Sequence, residues 1–326
     1  MKLSVVTPLW QDKPPAENVE VAKLADELGF EELWLGEMVT YDAFALATAV
    51  GLQTQRIKLT IGPLAVSVRT PMTMAMGVAS VAELTGRCTQ LALGASSTLV
   101  VEAWHGRQWQ KTAKHLKETA SIVRSLLNGE KTNHAGELAS SRGYHLRLEP
   151  THSSITLAAF GPKAVKAAAQ HGDRMLLNMV TPASLRFLKQ QLTDEAKRLN
   201  RPTPPVAVWL CCALNPTEEA YMQLRQAIVG YLAAPGYSQM MSAAGFEDLV
   251  AYAKTRPHPR DLLNAIPNAL IDAVALMGSS ADIDHRIEEY RQAGADEICL
   301  VPATGGDPYG KKTLTEMAHK RIALAL

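Results

Sequence analysis

Apolar and polar positions along this chain follow two alternating periods. Short apolar, often β-branched runs predict strands at Leu3–Thr7, Glu32–Leu35, Ile57–Ile61, Thr89–Leu93, Ile155–Ala159, Arg174–Asn178, Val206–Ala213 and Glu297–Val301. Between them, apolar residues recur at helical spacing. In Glu17–Leu28 the side chains of Val21, Ala22, Leu24, Ala25 and Leu28 share one broad face, and Gly29 supplies the stop. Further helices are predicted over Asp42–Thr54 with Asp42 as N-cap, Pro71–Leu84 closed by Thr85-Gly86, Thr112–Leu127, the stretch after Gly161, Pro182–Leu199, Thr217–Leu232, Ala281–Gln292 and Lys312–Leu324. Two segments break the rhythm. Asn133–Leu148 reads as an excursion with a glycine turn, a hairpin. Pro235–Met277 reads as an inserted helical excursion, broken by Pro257, Pro259 and Pro267.

Strands alternating with helices in this way are the pattern of an α/β protein, a closed parallel (β/α)8 TIM barrel, here a single domain over residues 1–326. The rival is an open doubly wound sheet. No Gly-x-Gly-x-x-Gly follows any of the strands, which counts against that rival.

Composition narrows the function by exclusion. With 47% hydrophobic residues in 326, the chain builds a core without covalent staples. Lys+Arg 33 against Asp+Glu 32 leaves a formal net charge of +1, so no global field draws nucleic acid or an anionic membrane. No stretch is long and apolar enough to span a bilayer, and the first residues carry neither the apolar length nor the small-residue cleavage site of a signal peptide, so a cytoplasmic protein is expected. The 4 cysteines, Cys88, Cys211, Cys212 and Cys299, form no Cys-x-x-Cys pair and are expected to be reduced and buried.

In a barrel of this kind the chemistry lies where strands end and loops begin. Those positions hold Gly36-Glu37-Met38, Gly62-Pro63-Leu64-Ala65-Val66-Ser67, Ala95-Ser96-Ser97-Thr98, Phe160-Gly161-Pro162-Lys163, Asn178 and Pro302 to Asp307. No strand itself ends in a lysine that could form a Schiff base, no His-x-His set offers a metal site, and Gly94-Ala95-Ser96-Ser97 lacks the closing glycine of a nucleophile elbow. Small residues, hydroxyls and backbone donors remain, which suits a cofactor that brings its own reactivity. The most informative piece is Gly161-Pro162-Lys163. A strand turns there into a helix with proline at its first position, where a missing N–H costs nothing. The amides of Lys163 and Ala164 are then expected to face an anion, a cofactor's phosphate. An ordinary strand-to-helix junction is the alternative.

Several motifs occur in a characteristic order: Val68-Arg69-Thr70-Pro71, the helix end Glu83-Leu84-Thr85-Gly86-Arg87, Gly161-Pro162-Lys163-Ala164, and Ala293-Gly294-Ala295-Asp296-Glu297. On these the chain resembles the bacterial-luciferase-like flavin and deazaflavin oxidoreductases, and within them the coenzyme F420-dependent branch. The resemblance implies a deazaflavin in the barrel mouth, its phosphate on Ser96, Ser97, Thr98 and Gly161 to Lys163, with Ala95, Phe160 and Asn178 alongside. It also implies a bulge with a cis peptide after the third strand, here Gly62-Pro63 next to Leu64, pressing on one face of the ring. The branch often carries Asp-His after the second strand, where this chain has Glu37-Met38. Met38 moves no protons and is assigned to the substrate side. Glu37 is read either as an acid/base group or as the partner of a nearby arginine. Trp104 and Trp109 are expected to line the substrate side with His105 as proton donor, or else to pack their loop down with a surface histidine. Met72, Met74 and Met76 are read as a homodimer surface or a plain core face. Three functions follow: hydride transfer between coenzyme F420 and a small-molecule substrate, with Glu37 and His105 handling the proton; an FMN-dependent monooxygenase fed by a partner reductase; or a non-catalytic flavin-binding protein.

Overall fold

The computed structural model, which describes residues 1–325, closes the predicted alternation into a ring. The strands are β1 (Lys2–Val6), β2 (Glu32–Leu35), β3 (Lys58–Ala65), β4 (Thr89–Gly94), β5 (Asn133–Ala135), β6 (Ser140–Arg142), β7 (Ile155–Ala158), β8 (Arg174–Asn178), β9 (Val206–Leu214), β10 (Leu276–Gly278) and β11 (Glu297–Pro302). β11, β1, β2, β3, β4, β7, β8 and β9 are parallel neighbours in that order, and β9 pairs with both β8 and β11 to close the barrel. β5 and β6 form the expected hairpin outside it.

Several helices start where a side chain satisfies their first amides. Asp42 accepts from the N–H groups of Phe44 and Ala45, and Thr70, Thr181, Thr217 and Ser279 cap in the same way. The outward faces of the strands, among them Val5, Leu33, Ile61, Leu91 and Leu157, are fully buried under these helices. Each such side chain contributes about 1.5–3 kcal/mol of burial.

Three details depart from the sequence reading. The expected irregular stretch at Ala95–Lys111 contains a π-helical turn, Leu99–Trp104. The last residues of the predicted helical excursion are the strand β10, which extends the sheet beside the end of β9. The excursion itself is a chain of short helices, including Tyr237–Met241, Glu247–Lys254, Pro259–Ala265 and Asn268–Val274. Of the cysteines, Cys88 is exposed, against expectation, while Cys211, Cys212 and Cys299 are buried and free. Met74 belongs to the core, whereas Met76 is exposed, as are Leu52 and Leu84 on the same pair of neighbouring helices. Among the described residues no helix is long and apolar enough to cross a membrane.

Inside the barrel the side chains form tiers. The base holds Lys2, Glu32, Arg174 and Glu297. Arg174 donates to Glu32 (2.6 Å), Glu297 (2.5 Å), Thr156 (3.1 Å) and Gln90 (3.2 Å), while Lys2 and Thr60 also donate to Glu32. Although burial pushes it up, the Glu32 carboxyl is held well below its ordinary range by Arg174 and Lys2. Above the base lies an apolar tier of Val6, Trp34, Ala92, Leu176, Ala207, Trp209 and Cys299.

Candidate active site

Trp209 forms the floor of the mouth, edge-on to Trp34 with ring centroids 5.7 Å apart. Its indole N–H is buried and finds no hydrogen-bond partner among the described residues. Glycines border this floor where a side chain would fit only tightly. A Cβ on Gly36 would stand 3.1 Å from Leu9 and 3.6 Å from Trp209, and one on Gly94 would stand 3.3 Å from Pro63. The Gly62-Pro63 peptide is cis, as expected, and the register of β3 against β4 shifts between Ile61 and Leu64. Gly62 has φ +116°, and a Cβ there would lie 2.3 Å from the Ala92 carbonyl, so only glycine fits.

The turn expected to face an anion lies where one of two neighbouring strands ends. β4 and β7 are hydrogen-bonded partners, with Leu93 opposite Leu157. After β7, Gly161 is extended and Pro162 opens the Pro162–His171 helix. One of the two expected donors is already used: the Ala164 N–H bonds to the Gly161 carbonyl at 2.9 Å, tightening the first turn. The Lys163 N–H finds no acceptor among the described residues. Lys163 is exposed, and a Cβ on Gly161 would meet nothing within 4 Å, so the space in front of the turn is open. After β4, Ser96 adopts φ +56° and Ser96, Ser97 and Thr98 are exposed. The Ser97 hydroxyl and carbonyl receive the first amides of the π-helical turn, from Val100 and Val101.

Around these turns, Trp109 folds its loop down by donating from its indole to the carbonyls of Ala95 and Ser96, both at 3.1 Å. Trp104 and His105 lie exposed at the end of the π-helical turn. Glu37 is gripped by Arg69, whose Nε donates to it at 3.0 Å and whose Nη2 donates to both Glu37 and Asp42. The Ala43 N–H also bonds to Glu37, at 3.1 Å. The arginine-partner reading of Glu37 is therefore the contact that forms, and no hydrogen bond joins Glu37 to His105 among the described residues. Met38 is exposed at the rim.

Several neighbours of the mouth escaped sequence reading. Phe160 stacks against Tyr237 at 4.4 Å between centroids, and Tyr237 against Tyr231 at 4.6 Å. Burial pushes both tyrosine hydroxyls above their usual range, opposed by Asn178 beside them. Gly236 has φ +87°, and a Cβ there would sit 2.6 Å from the Phe160 ring. The excursion thus covers the β7–β9 side of the mouth with aromatic rings. Their only sequence signal is two tyrosines flanking Pro235-Gly236. On the β3–β4 side a cleft of about 320 Å³ opens, lined by Ser67, Arg107, Gln108, Gln110, His115 and Leu138. His115 Nδ1 lies 3.3 Å from the Ser67 hydroxyl, and burial pulls its imidazole below the usual pKa, leaving it neutral near pH 7. Deeper still, burial pushes the Cys211 thiol up to about 12, so it is inert. No group of three or more metal-ligating side chains exists among the described residues.

A model of the luciferase-like monooxygenase family matches residues 1–297. The chain is 23% identical over 311 residues to the 5,10-methylenetetrahydromethanopterin reductase of Archaeoglobus fulgidus, covering 92% of each. It is 24% identical to a Mycobacterium tuberculosis protein named as a coenzyme F420-dependent oxidoreductase, covering 94% of this chain and 95% of that one. Among solved structures, the coenzyme F420-dependent tetrahydromethanopterin reductase of Methanopyrus kandleri superposes with a TM-score of 0.84 at 18% identity, over 99% of both chains.

Proposed function

Because the chain belongs to the luciferase-like monooxygenase family, we propose that it is an oxidoreductase that holds coenzyme F420 in the barrel mouth and exchanges a hydride with a small organic substrate. Relatives that match over nine-tenths of the chain carry F420 or methylenetetrahydromethanopterin reductase names. The observation that carries the reading is the pair of turns after the neighbouring strands β4 and β7: exposed Ser96, Ser97 and Thr98 follow one, and open space at Gly161 with the unspent Lys163 amide follows the other. That arrangement fits a phosphate. The glycine-walled floor, with its unpartnered Trp209 N–H, fits a flat polar ring.

When bound, the deazaflavin supplies two-electron hydride chemistry. The protein's part is to bind, orient and exclude water. Ser96, Ser97, Thr98, Gly161, Pro162 and Lys163 would hold the phosphate. Gly62, Pro63 and Leu64 would support one face of the ring, with Ala95, Phe160 and Asn178 at its border. The Arg69 grip fixes the end of β2, so Glu37 acts on the reaction through a set position. Glu37 and His105 are the assigned carriers of the accompanying proton: Glu37 by opening one bond to Arg69, His105 by turning in from the exposed turn. Met38, Trp104 and Trp109 would meet the substrate. The exposed apolar side chains Leu52, Met76 and Leu84 form the face proposed for a homodimer.

Fluorescence titration of the purified protein with F420 and with FMN tests the assignment. Tighter binding of F420 is expected. FMN binding with no measurable F420 affinity would overturn it and leave the second reading, an FMN monooxygenase supplied by a reductase. The family description favours that second reading, as does Glu37-Met38 standing where the F420 branch often has Asp-His.

A further inference from the structure

At the opposite end of the barrel from the mouth, a cleft of about 330 Å³ opens between the Thr112–Leu127 helix, the end of the Pro162–His171 helix and the loops before β8 and β9. Ser121, Arg124, Gln170, His171, Asp173 and Arg201 line it. We infer that this cleft is a binding site for a small dianion, inorganic phosphate or a phosphomonoester.

Its charges do not balance. Lys117 and Arg124 from the Thr112–Leu127 helix and Arg201 from the loop before β9 all face His171, while Asp173 is the one carboxylate in the lining. Asp173 is also the most committed group: its Oδ2 accepts from the Ile155 N–H at 2.7 Å and from Arg124 at 2.5 Å. The guanidinium groups are only partly used. Arg124 donates through Nη2 alone, and Arg201 through Nη1 alone, to the carbonyls of Ala169 and Gln170 at the helix end. Their remaining N–H groups find no acceptor among the described residues. Two arginine forks converging on one cleft suit a tetrahedral oxyanion.

The half-buried His171 reports the same imbalance. Burial, then Lys117, Arg201 and Arg124, all pull its imidazole pKa down, and no carboxylate pulls it back. Its Nδ1 lies 3.5 Å from the Ser121 hydroxyl. A purely structural role for the arginines, tying loops to helix ends, accounts for one nitrogen of each and leaves the rest of both guanidinium groups, in the lining of the cleft, without a protein acceptor among the described residues.

NMR of histidine-labelled protein, with His171 assigned through His171→Asn, decides the matter. Sodium phosphate is titrated at constant ionic strength against chloride, and glucose 1-phosphate in a parallel arm. Saturable shifts of the His171 resonance and a raised His171 pKa are expected in both arms or in one. A tighter phosphomonoester would mark an organic phosphate as the occupant, and equal affinity would mark phosphate itself. Arg124→Gln and Arg201→Gln should each weaken binding about tenfold while thermal melts stay cooperative. No saturable shift over the millimolar range in the unsubstituted protein, or a His171 pKa indifferent to both ligands, would overturn the site. Cofactor affinity at the mouth is measured separately, so either assignment can fail alone.

Discussion

The base and the mouth of this barrel are built from the same strands, yet they treat polar groups in opposite ways. At the base, Arg174 spends all its donors on Glu32, Glu297, Gln90 and Thr156, and its guanidinium also lies 4.3 Å from the centre of the Trp34 ring. At the mouth, a few residues further along each strand, side chains shrink to glycine and serine and donors are left over: the Lys163 amide, the Trp209 indole. The base is saturated with internal hydrogen bonds, and the mouth keeps donors that no group among the described residues takes up, which is the contrast the proposed cofactor site rests on.

The sharpest way to break this comparison is Arg174→Met. It strips two buried carboxylates of their main partner, and a loss of about 3–5 kcal/mol in urea unfolding is expected. A loss below about 1 kcal/mol would show that the base is not what holds the barrel. The same cluster sets the acid limit. The folded pKa of Glu32 is lowered, so its contribution is fully present above the ordinary value of 4.5 and is lost as pH falls further. Unfolding curves from pH 7 downward should show that loss, and Glu32→Gln should lower stability and remove Glu32's share of the pH dependence, leaving the shares of Asp26, Asp42 and Glu118, whose carboxyls are also held low.

At the mouth the expected pattern reverses. Gly161 is extended with open space before it, so Gly161→Val should leave melting nearly unchanged but weaken F420 binding about tenfold, or 1.4 kcal/mol, by filling the proposed anion seat. Equal F420 affinity in the variant would dissociate the seat from the cofactor. The smallest effect is expected at the rim. Arg69, Glu37 and Asp42 are partly exposed, so Glu37→Gln should cost under about 1 kcal/mol of stability. Its turnover and pH profile would then tell a proton carrier from a mere anchor: an unchanged profile makes Glu37 an anchor.

The barrel was legible from sequence because its strands are short apolar runs separated by helices with recognisable caps, such as Asp42 and Thr70. The strand-to-helix turn at Gly161 was legible because Gly-Pro-Lys fixes a local geometry, although the use of the Ala164 donor within the first turn is a detail that no composition rule supplies. What stayed hidden depends on distance along the chain. Arg174 meets Glu32 across 142 positions, and the Tyr237–Phe160 stack joins the excursion to a strand end. The π-helical turn at Leu99–Trp104 was missed because its apolar run, Leu99-Val100-Val101, is too short to show a period. His115 drew no notice, because it is ordinary until the helix after β4 brings it to Ser67, a residue of the strand-end set.

β10 has a consequence for how such a chain can change. The excursion leaves after the Glu218–Val229 helix that follows β9, and it comes home through β10 onto Cys212, Ala213 and Leu214 of β9 itself. The far end of roughly forty residues is thus moored to the strand that precedes them, and the closure entropy of a long loop grows only slowly with its length. The segment is a cassette: it can be rewritten, ring by aromatic ring, to admit a different molecule, while the hoop of strands beneath keeps its register.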